Sequence, residues 1–427
     1  MRTRLIASAI SGLTMLLPFA AAAQQTTEVH IYGTLLPFLD DVRTLGATPA
    51  GLSPASGGAT QVPGTAYTGA NLPARFRISS GTSNIGFKGS LTLSDQLKVI
   101  WQVESSVSPD GDPPNNLAGR NTAVGLAGTW GTVFYGLWDT PYKYPTVFVT
   151  PIRGLTVYDN AVTANPGFNV PGTTTQSGRA AGKADAAFSR RQGNSVQYWS
   201  PTFYGLSLRL AASVNEGKTT RTATAPSIDP WIWSGLVTWE SGPFGVRYSH
   251  ERHVDYFGLA QLGGSAGATN ANPHSHDDGD ELIAWYAAPT GTKLSVIGER
   301  LGYTTEDSVA GAVDRYERYS FYALVQQRFG PHQLWGAFGR AFPGDVHVVG
   351  GGAATTNGLG ASQWSLGYTY SLAKTADIYA AYYELANDRS GAYAVFPSPG
   401  TVAPGASTRG FGLGILYTFD ASWTFPL

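Results

Sequence analysis

The stretch Gln363-Trp364-Ser365-Leu366-Gly367-Tyr368-Thr369-Tyr370-Ser371-Leu372 alternates without a break. Trp364, Leu366, Tyr368, Tyr370 and Leu372 form one row, and Gln363, Ser365, Gly367, Thr369 and Ser371 the other. Successive side chains of an extended chain point to opposite faces, so the stretch reads as a strand with one apolar and one small or polar face. The period recurs on both sides of it. Leu97, Val99, Trp101 and Val103 alternate with Lys98, Ile100, Gln102 and Glu104, and Leu206, Leu208, Leu210, Ala212 and Val214 with Ser207, Arg209, Ala211, Ser213 and Asn215. Phe411, Leu413, Ile415, Tyr417 and Phe419 make the last strong apolar row. A soluble sandwich alternates too, but it does not readily supply aromatics clustered near strand ends, such as Trp231, Trp233 and Trp239. Aromatic girdles at two membrane interfaces do.

Composition points the same way. Charged residues are 13% of the 427, about half the soluble average of roughly 25%, while aromatics reach 12% and glycine numbers 53. The mean hydropathy of −0.10 is too low for a bundle of membrane helices, and nothing after Ala23 approaches the roughly 20 apolar residues that a spanning helix needs. Strands of about 9 to 11 residues must therefore do any spanning. A net charge of −1 leaves no polyanion footprint, which argues against nucleic acid as a partner. With no cysteine, disulfide and zinc-thiolate scaffolds are excluded.

Arg2 and Arg4 precede an apolar stretch over residues 5–19, and Ala21-Ala22-Ala23 offers the small residues of a cleavage site before Gln24. Residues 1–23 read as a secretory signal peptide and 24–427 as one mature domain.

Connections between the strand-like segments alternate in length. Short ones fall near 94–96, 129–131, 201–204, 241–243, 289–292, 330–332 and 374–376. Long ones span about 40–75, 108–118, 139–193, 216–229, 254–279, 304–315, 341–360 and 388–407. Interleaved, they predict an all-β fold: a 16-stranded antiparallel up-and-down transmembrane β-barrel, tight turns on one rim and long loops on the other. Such a barrel encloses an aqueous lumen rather than a packed core. The third long connection, 139–193, far exceeds ordinary loop lengths. Its first half carries Tyr142, Tyr144, Phe148, Ile152, Leu155, Val157 and Tyr158, material to pack against a wall, and is expected to fold inward and narrow the lumen.

Catalytic patterns are poor. Gly263-Gly264-Ser265-Ala266-Gly267 fits G-x-S-x-G but lies in a Gly/Ala-rich loop without the strand and helix of a nucleophile elbow. His274-Ser275-His276-Asp277-Asp278 with Asp280 offers nitrogen and oxygen ligands, yet Pro273 and Gly279 mark a polar surface loop. His250-Glu251-Arg252-His253 has the wrong spacing for a zincin, and on a strand its histidines face opposite ways. Neither an enzyme nor a metal or other cofactor site is expected.

The order and spacing of several short motifs resemble the Gram-negative general porins of the Burkholderia and Neisseria type, over essentially the whole mature chain. Glu28-Val-His-Ile-Tyr-Gly33 resembles the family's first strand; Ser83-Asn-Ile-Gly-Phe-Lys-Gly89 and Leu97-Lys-Val-Ile-Trp-Gln-Val-Glu104 resemble its second and third. Val124-Gly-Leu126, Trp130-Gly-Thr-Val-Phe-Tyr-Gly136 and Thr140-Pro141 resemble the segment leading into its constriction loop. Asn194-Ser-Val-Gln-Tyr198, Ser200-Pro-Thr-Phe203 and Gly205 resemble the segment leaving it. The resemblance implies a homotrimeric, water-filled channel in the outer membrane, with 139–193 as the eyelet. Asn84 and Leu137 stand where the family commonly has arginine, and eight residues follow Phe419, which matches the family's terminal Phe unless the last strand runs on to Phe425.

The expected function is passive diffusion of ions and small hydrophilic solutes through an outer-membrane porin surrounded by lipid. A substrate-specific channel for sugars or organic anions, recognised by a track of lumen aromatics, is the first alternative; an outer-membrane enzyme or adhesin barrel is the second. Alternation turns Lys98, Gln102, Glu104, Arg120, Arg209, Arg247 and Glu251 inward, and the loop adds Arg153, Asp159 and Asp185. Both signs are present, so selectivity is expected to be weak and to weaken further with salt. Gly410, Gly412 and Gly414 are candidates for a close contact between barrels or for strand curvature.

Overall fold

The computed structural model describes residues 26–52, 60–61, 66–111, 117–146, 149–153, 156–163, 188, 190–214, 218, 220–222, 227, 229–255, 274–306 and 309–426. The signal-peptide segment 1–23, Asp185 and the G-x-S-x-G pattern lie outside them. Besides three short strands at Thr60–Gln61, Asp345–Val348 and Ala354–Thr355, sixteen antiparallel barrel strands follow in chain order. The first two are each interrupted once: β1 is Thr26–Leu35 continued by Phe38–Leu45, and β2 is Arg75–Ser79 continued by Asn84–Ser94. Then come β3 (Leu97–Ser106), β4 (Thr122–Gly128), β5 (Gly131–Asp139), β6 (Arg191–Trp199), β7 (Leu206–Val214) and β8 (Trp231–Ser241). The second half comprises β9 (Phe244–Val254), β10 (Ser275–Ala287), β11 (Thr292–Thr305), β12 (Val313–Phe329), β13 (His332–Ala341), β14 (Ala361–Ala373), β15 (Ala376–Asn387) and β16 (Ser407–Pro426). A single helical turn, α1 (Lys143–Thr146), sits in the connection after β5.

Each strand pairs with its chain neighbours, and β1 closes the ring on β16, from Thr26 opposite Pro426 to Leu45 opposite Ser407. Closure removes the free edges that an open sheet would expose. It also sets where the last strand ends. Phe419 pairs with Gly33, but the ladder runs on through Asp420, opposite Tyr32, to Phe425, opposite Thr27. The residues after Phe419 are barrel wall, with Trp423 and Phe425 on the outside.

The apolar rows face out. Trp364, Leu366, Tyr368 and Leu372 are exposed on the outer surface, as are Phe411, Leu413, Ile415 and Tyr417, while Gln363, Ser365 and Thr369 are buried inside. This inverts the burial of a soluble protein and suits lipid outside with polar groups within.

Three expectations change. The first long connection starts later than residue 40: Asp40 lies in β1, buried and ion-paired to Arg77 of β2 at 2.8 Å. The long connection before Gly279 ends earlier, because β10 begins at Ser275. Alternation on β10 therefore splits the His274–Asp280 run between two faces. Asp277 is buried inside, while His276, Asp278 and Asp280 face out and pair with Glu306, with His250 and Arg252, and with His250 and Arg300. Among the described residues no group of His, Asp and Glu is arranged to hold a metal.

The third concerns Gly410, Gly412 and Gly414. They point inward, opposite in parity to Phe411 and Leu413, and contribute nothing to the outer surface. A Cβ at any of them would run into a tyrosine hydroxyl, of Tyr383, Tyr158 or Tyr379 respectively. The bare strand is the floor on which these rings lie.

Candidate functional site

The chain after β5 does not stay at the long-loop rim. Tyr142 donates its backbone N–H to Ser234 Oγ (3.0 Å) and its hydroxyl to Glu299 (2.8 Å), both inward residues of β8 and β11. Further on, Gln333 Nε2 donates to the Pro151 carbonyl (3.0 Å). Arg153 reaches Asp377 through Nε (2.8 Å) and donates to the Lys374 carbonyl (2.8 Å). Gln333, Lys374 and Asp377 lie beside the short turns, so the segment has descended most of the barrel's height. It then climbs back. Ser365 Oγ donates to the Tyr158 carbonyl (3.2 Å), and the Ala161 N–H donates to Gln363 Oε1 (2.7 Å) near the top of β14.

Packing holds this path. Tyr158 sits in a box formed by Phe38, Trp335, Tyr379 and Tyr383, with ring centroids 5.7–6.5 Å away. Aromatic pairs at such spacing stabilise beyond the area they bury, by roughly 0.5–1.5 kcal/mol each. Of the residues that the sequence supplies there, Tyr142, Ile152, Val157 and Tyr158 are buried and Tyr144 lies against Arg209, while Phe148 and Leu155 lie outside the described residues.

The expected lumen residues fall into separate groups. On β3 and the connection after it, Glu104 is ion-paired to Arg120 (2.5 Å) and accepts from the Tyr32 hydroxyl (3.0 Å), and Gln102 Nε2 donates to the Asn121 carbonyl (2.9 Å). Lys98 shares their row but lies one residue from the short turn, exposed. Arg209 and Arg247 meet around a ring of the inward segment. The Arg209 guanidinium carbon lies 3.4 Å from the centroid of Tyr144 and 3.9 Å from that of Trp199, and Arg247 lies 5.9 Å from Tyr144 and 4.7 Å from Trp285. Arg153 is tied to Asp377.

Asp159 is buried inside the inward segment, its carboxylate accepting from the Thr156 N–H and its carbonyl from Gln363. Burial pushes its carboxyl well above the ordinary aspartate range, only partly opposed by the Thr156 hydrogen bonds. It braces the chain rather than facing water.

Other inward groups were not singled out from the sequence. His30 lies between Asp420 (2.7 Å) and Glu28 (3.0 Å), and Lys88 also reaches Asp420 (3.1 Å). Strand alternation around Tyr32 and Phe87 was enough to find His30 and Lys88. Asp420 lies just past Phe419, where the sequence left the end of the last strand open, and it turns inward once the strand runs on to Phe425. Behind the inward segment, Glu251, Asp277, Glu281 and Glu299 are buried on β9–β11, with Arg318 3.4 Å from Glu299. Lys293, second residue of β11, also points in, beside Arg247 and Glu240 around a cavity of about 230 Å³.

A closed ring of sixteen strands, apolar outside and polar inside, with the described part of the connection after β5 hydrogen-bonded to inward-facing wall residues, defines the porin class of membrane barrel. The comparisons agree. The sequence profile of the Gram-negative porins matches residues 8–390, and the chain belongs to that family. The major outer membrane protein P.IA of Neisseria meningitidis serogroup B is 37% identical over 137 residues, which is 32% of this chain and 33% of the relative. The serogroup A protein of the same name is 36% identical over 137 residues, 32% of each chain. The chain thus matches about a third of the length of these relatives.

Among solved structures, an anion-selective porin from Comamonas acidovorans superposes with a TM-score of 0.64 at 17% identity, covering 92% of this chain and 100% of that one. OmpT of Vibrio cholerae follows at 0.57 and 14%, covering 94% and 99%. At these identities the likeness shows the fold. Family and barrel together make this an outer-membrane β-barrel.

Proposed function

We propose that the protein is a passive diffusion channel for ions and small hydrophilic solutes, with residues 1–23 removed on export and residues 139–193 acting as its constriction. The observation that carries this reading is the inner wall: polar, bearing both charges, and crossed by the described part of the connection after β5 from the loop rim to the turn rim. Catalysis would need a nucleophile or a water-activating set at one place, whereas these groups are spread along a wall and paired.

Selectivity is weak in this reading. Arg120 is compensated by Glu104, Arg77 by Asp40 and Arg153 by Asp377. Asn84 and Leu137 leave two family arginines unreplaced. Charges that face water are further screened within about 10 Å at 0.1 M salt. The assembly proposed is a homotrimer in lipid, supported by the family and by a similar Vibrio cholerae OmpT structure described as a trimer form.

Purified, folded protein should insert into planar bilayers in discrete conductance steps, with a reversal potential near zero in a salt gradient. Folded protein that never conducts at any voltage would reject the channel, and a single barrel in crosslinking and native mass measurements would reject the trimer.

A further inference from the structure

The inner wall near the short turns carries an ordered stack that a plain diffusion channel does not need. Arg209 is wedged between the faces of Trp199 and Tyr144, and Arg247 lies over Trp285 and toward Tyr144. Cations and rings thus alternate from β6 through the inward segment to β10. Guanidinium groups prefer such faces, and a cation held within about 6 Å of a ring is pre-oriented for a second, planar partner.

The stack ends in the cavity of about 230 Å³ lined by Val149, Glu240, Arg247, Ile283, Trp285, Lys293 and Ser295. Its chemistry is two-sided. Val149 and Ile283 are buried apolar walls beside the Trp285 ring, and Arg247, Lys293 and the Ser295 hydroxyl are donors. Glu240 accepts from Arg247 at 3.0 Å, so two cations face one carboxylate and a single positive charge is left over. The Lys293 ammonium makes no side-chain hydrogen bond or ion pair with any described residue, and its charged neighbours are Arg247 and Glu240. The volume is below the roughly 300–1,000 Å³ of drug-sized sites, which limits an occupant to about one ring with one substituent.

The backbone is adapted to this ring. Gly245 stands opposite Trp285 in the β9–β10 ladder, and a Cβ there would overlap the indole. Glycine leaves room for the Trp285 indole against the backbone, and the ring lines the cavity beside Arg247. An isolated wall charge would require no such accommodation.

We propose that this pocket is a subsite for a small aromatic monocarboxylate, whose ring stacks on Trp285 and whose carboxylate is held by Arg247 and Lys293, with the Trp199–Arg209–Tyr144 stack as its approach. The monoanion matches the leftover charge, the ring matches the apolar walls, and the fork of Arg247 suits a carboxylate. The inference deepens the channel reading and rests on it for its biological sense, but binding can be measured apart from conduction.

The test uses the folded, full barrel in detergent and in planar bilayers, with benzoate as the probe and acetate, benzyl alcohol and glucose as comparisons. Calorimetric titration should give saturable one-site binding of benzoate, at least tenfold tighter than acetate or benzyl alcohol. Benzoate should also block single-channel current saturably. Trp285→Ala and Arg247→Gln should each weaken benzoate at least tenfold, and Lys293→Gln by several-fold, whereas Arg252→Gln on the outer surface should leave binding as it was. Gly245→Ala should weaken benzoate while sparing acetate, a split that loss of charge alone cannot produce. Equal binding of acetate and benzoate, equal binding of benzyl alcohol and benzoate, or saturation by glucose alone would each overturn the proposal. Benzoate binding without any conductance would reject the channel and leave the subsite standing; conductance without benzoate binding would reject the subsite alone.

Discussion

Arg153 and Asp377 are 224 residues apart in sequence, yet Nε and Nη2 of the arginine both lie 2.8 Å from one oxygen of that carboxylate. The bond pins the lowest described part of the inward segment to the turn end of β15. Arg153 is 42% exposed, so its stabilising effect is modest, in the range of partly solvated pairs. Its effect on position is larger. Asp377→Asn and Arg153→Gln should each raise open-channel current noise and change mean conductance, and the double variant should do no more than either single one. Additive effects in single-channel recordings would show that the two side chains act apart.

Glu104 and Arg120 are a compensated pair on the lumen wall. Arg120→Gln leaves the carboxylate uncompensated and should move the reversal potential toward cation preference; Glu104→Gln should move it the opposite way. Both shifts should shrink between 0.1 M and 1 M salt, as the screening length falls from about 10 to about 3 Å. If Arg120→Gln changed neither conductance nor reversal potential, the pair would not lie at the narrow part of the pore.

The inner glycines of β16 leave space for tyrosine hydroxyls. Gly412→Val should push Tyr158 out of its box and loosen the inward segment, at a cost of about 1–3 kcal/mol, as for other overpacked sites. The midpoint of the heat-induced mobility shift on gels should fall. The same substitution at the outward-facing Gly298, where a Cβ meets nothing within 4 Å, should leave the midpoint nearly unchanged.

Residues 420–426 complete the ladder with 26–32. Deleting them would leave the first half of β1 unpaired on one side, an exposed edge in a membrane barrel. Refolding in detergent should then fail, or yield protein without the heat-modifiable gel form. Normal refolding would mean that closure does not depend on this part of the ladder.

Asp159 lies outside the spanning strands, and burial raises its carboxyl pKa in the folded chain. A folded value above the unfolded one means that the folded state holds the proton more tightly. The associated stability is fully present below the ordinary aspartate pKa of about 3.9 and is lost as pH rises through the raised value. The inward segment should therefore be held more firmly in acid. Asp159→Asn, which stays neutral, should flatten the pH dependence of tryptic cleavage after Arg153 and be at least as protected as the parent at pH 8.

Strand number, strand faces and the alternation of short and long connections were legible in the sequence, because contact with lipid on one face and water on the other imposes a period of two on every strand independently. That local rule carried rows such as Trp364 to Leu372 and Phe411 to Phe419. Pursued further, it turns Gly410, Gly412 and Gly414 inward, since they alternate with Phe411 and Leu413. Closure decided the rest. The extent of β16 follows from its pairing with β1, which a strand read alone does not contain. Meetings such as Tyr142 with Glu299, Arg153 with Asp377, or Tyr144 with Arg209 and Arg247 depend on the path of one connection across the ring. Periodicity states which face a side chain takes, but which faces confront each other across a lumen is set by barrel circumference and loop packing, and only the tertiary structure decides those.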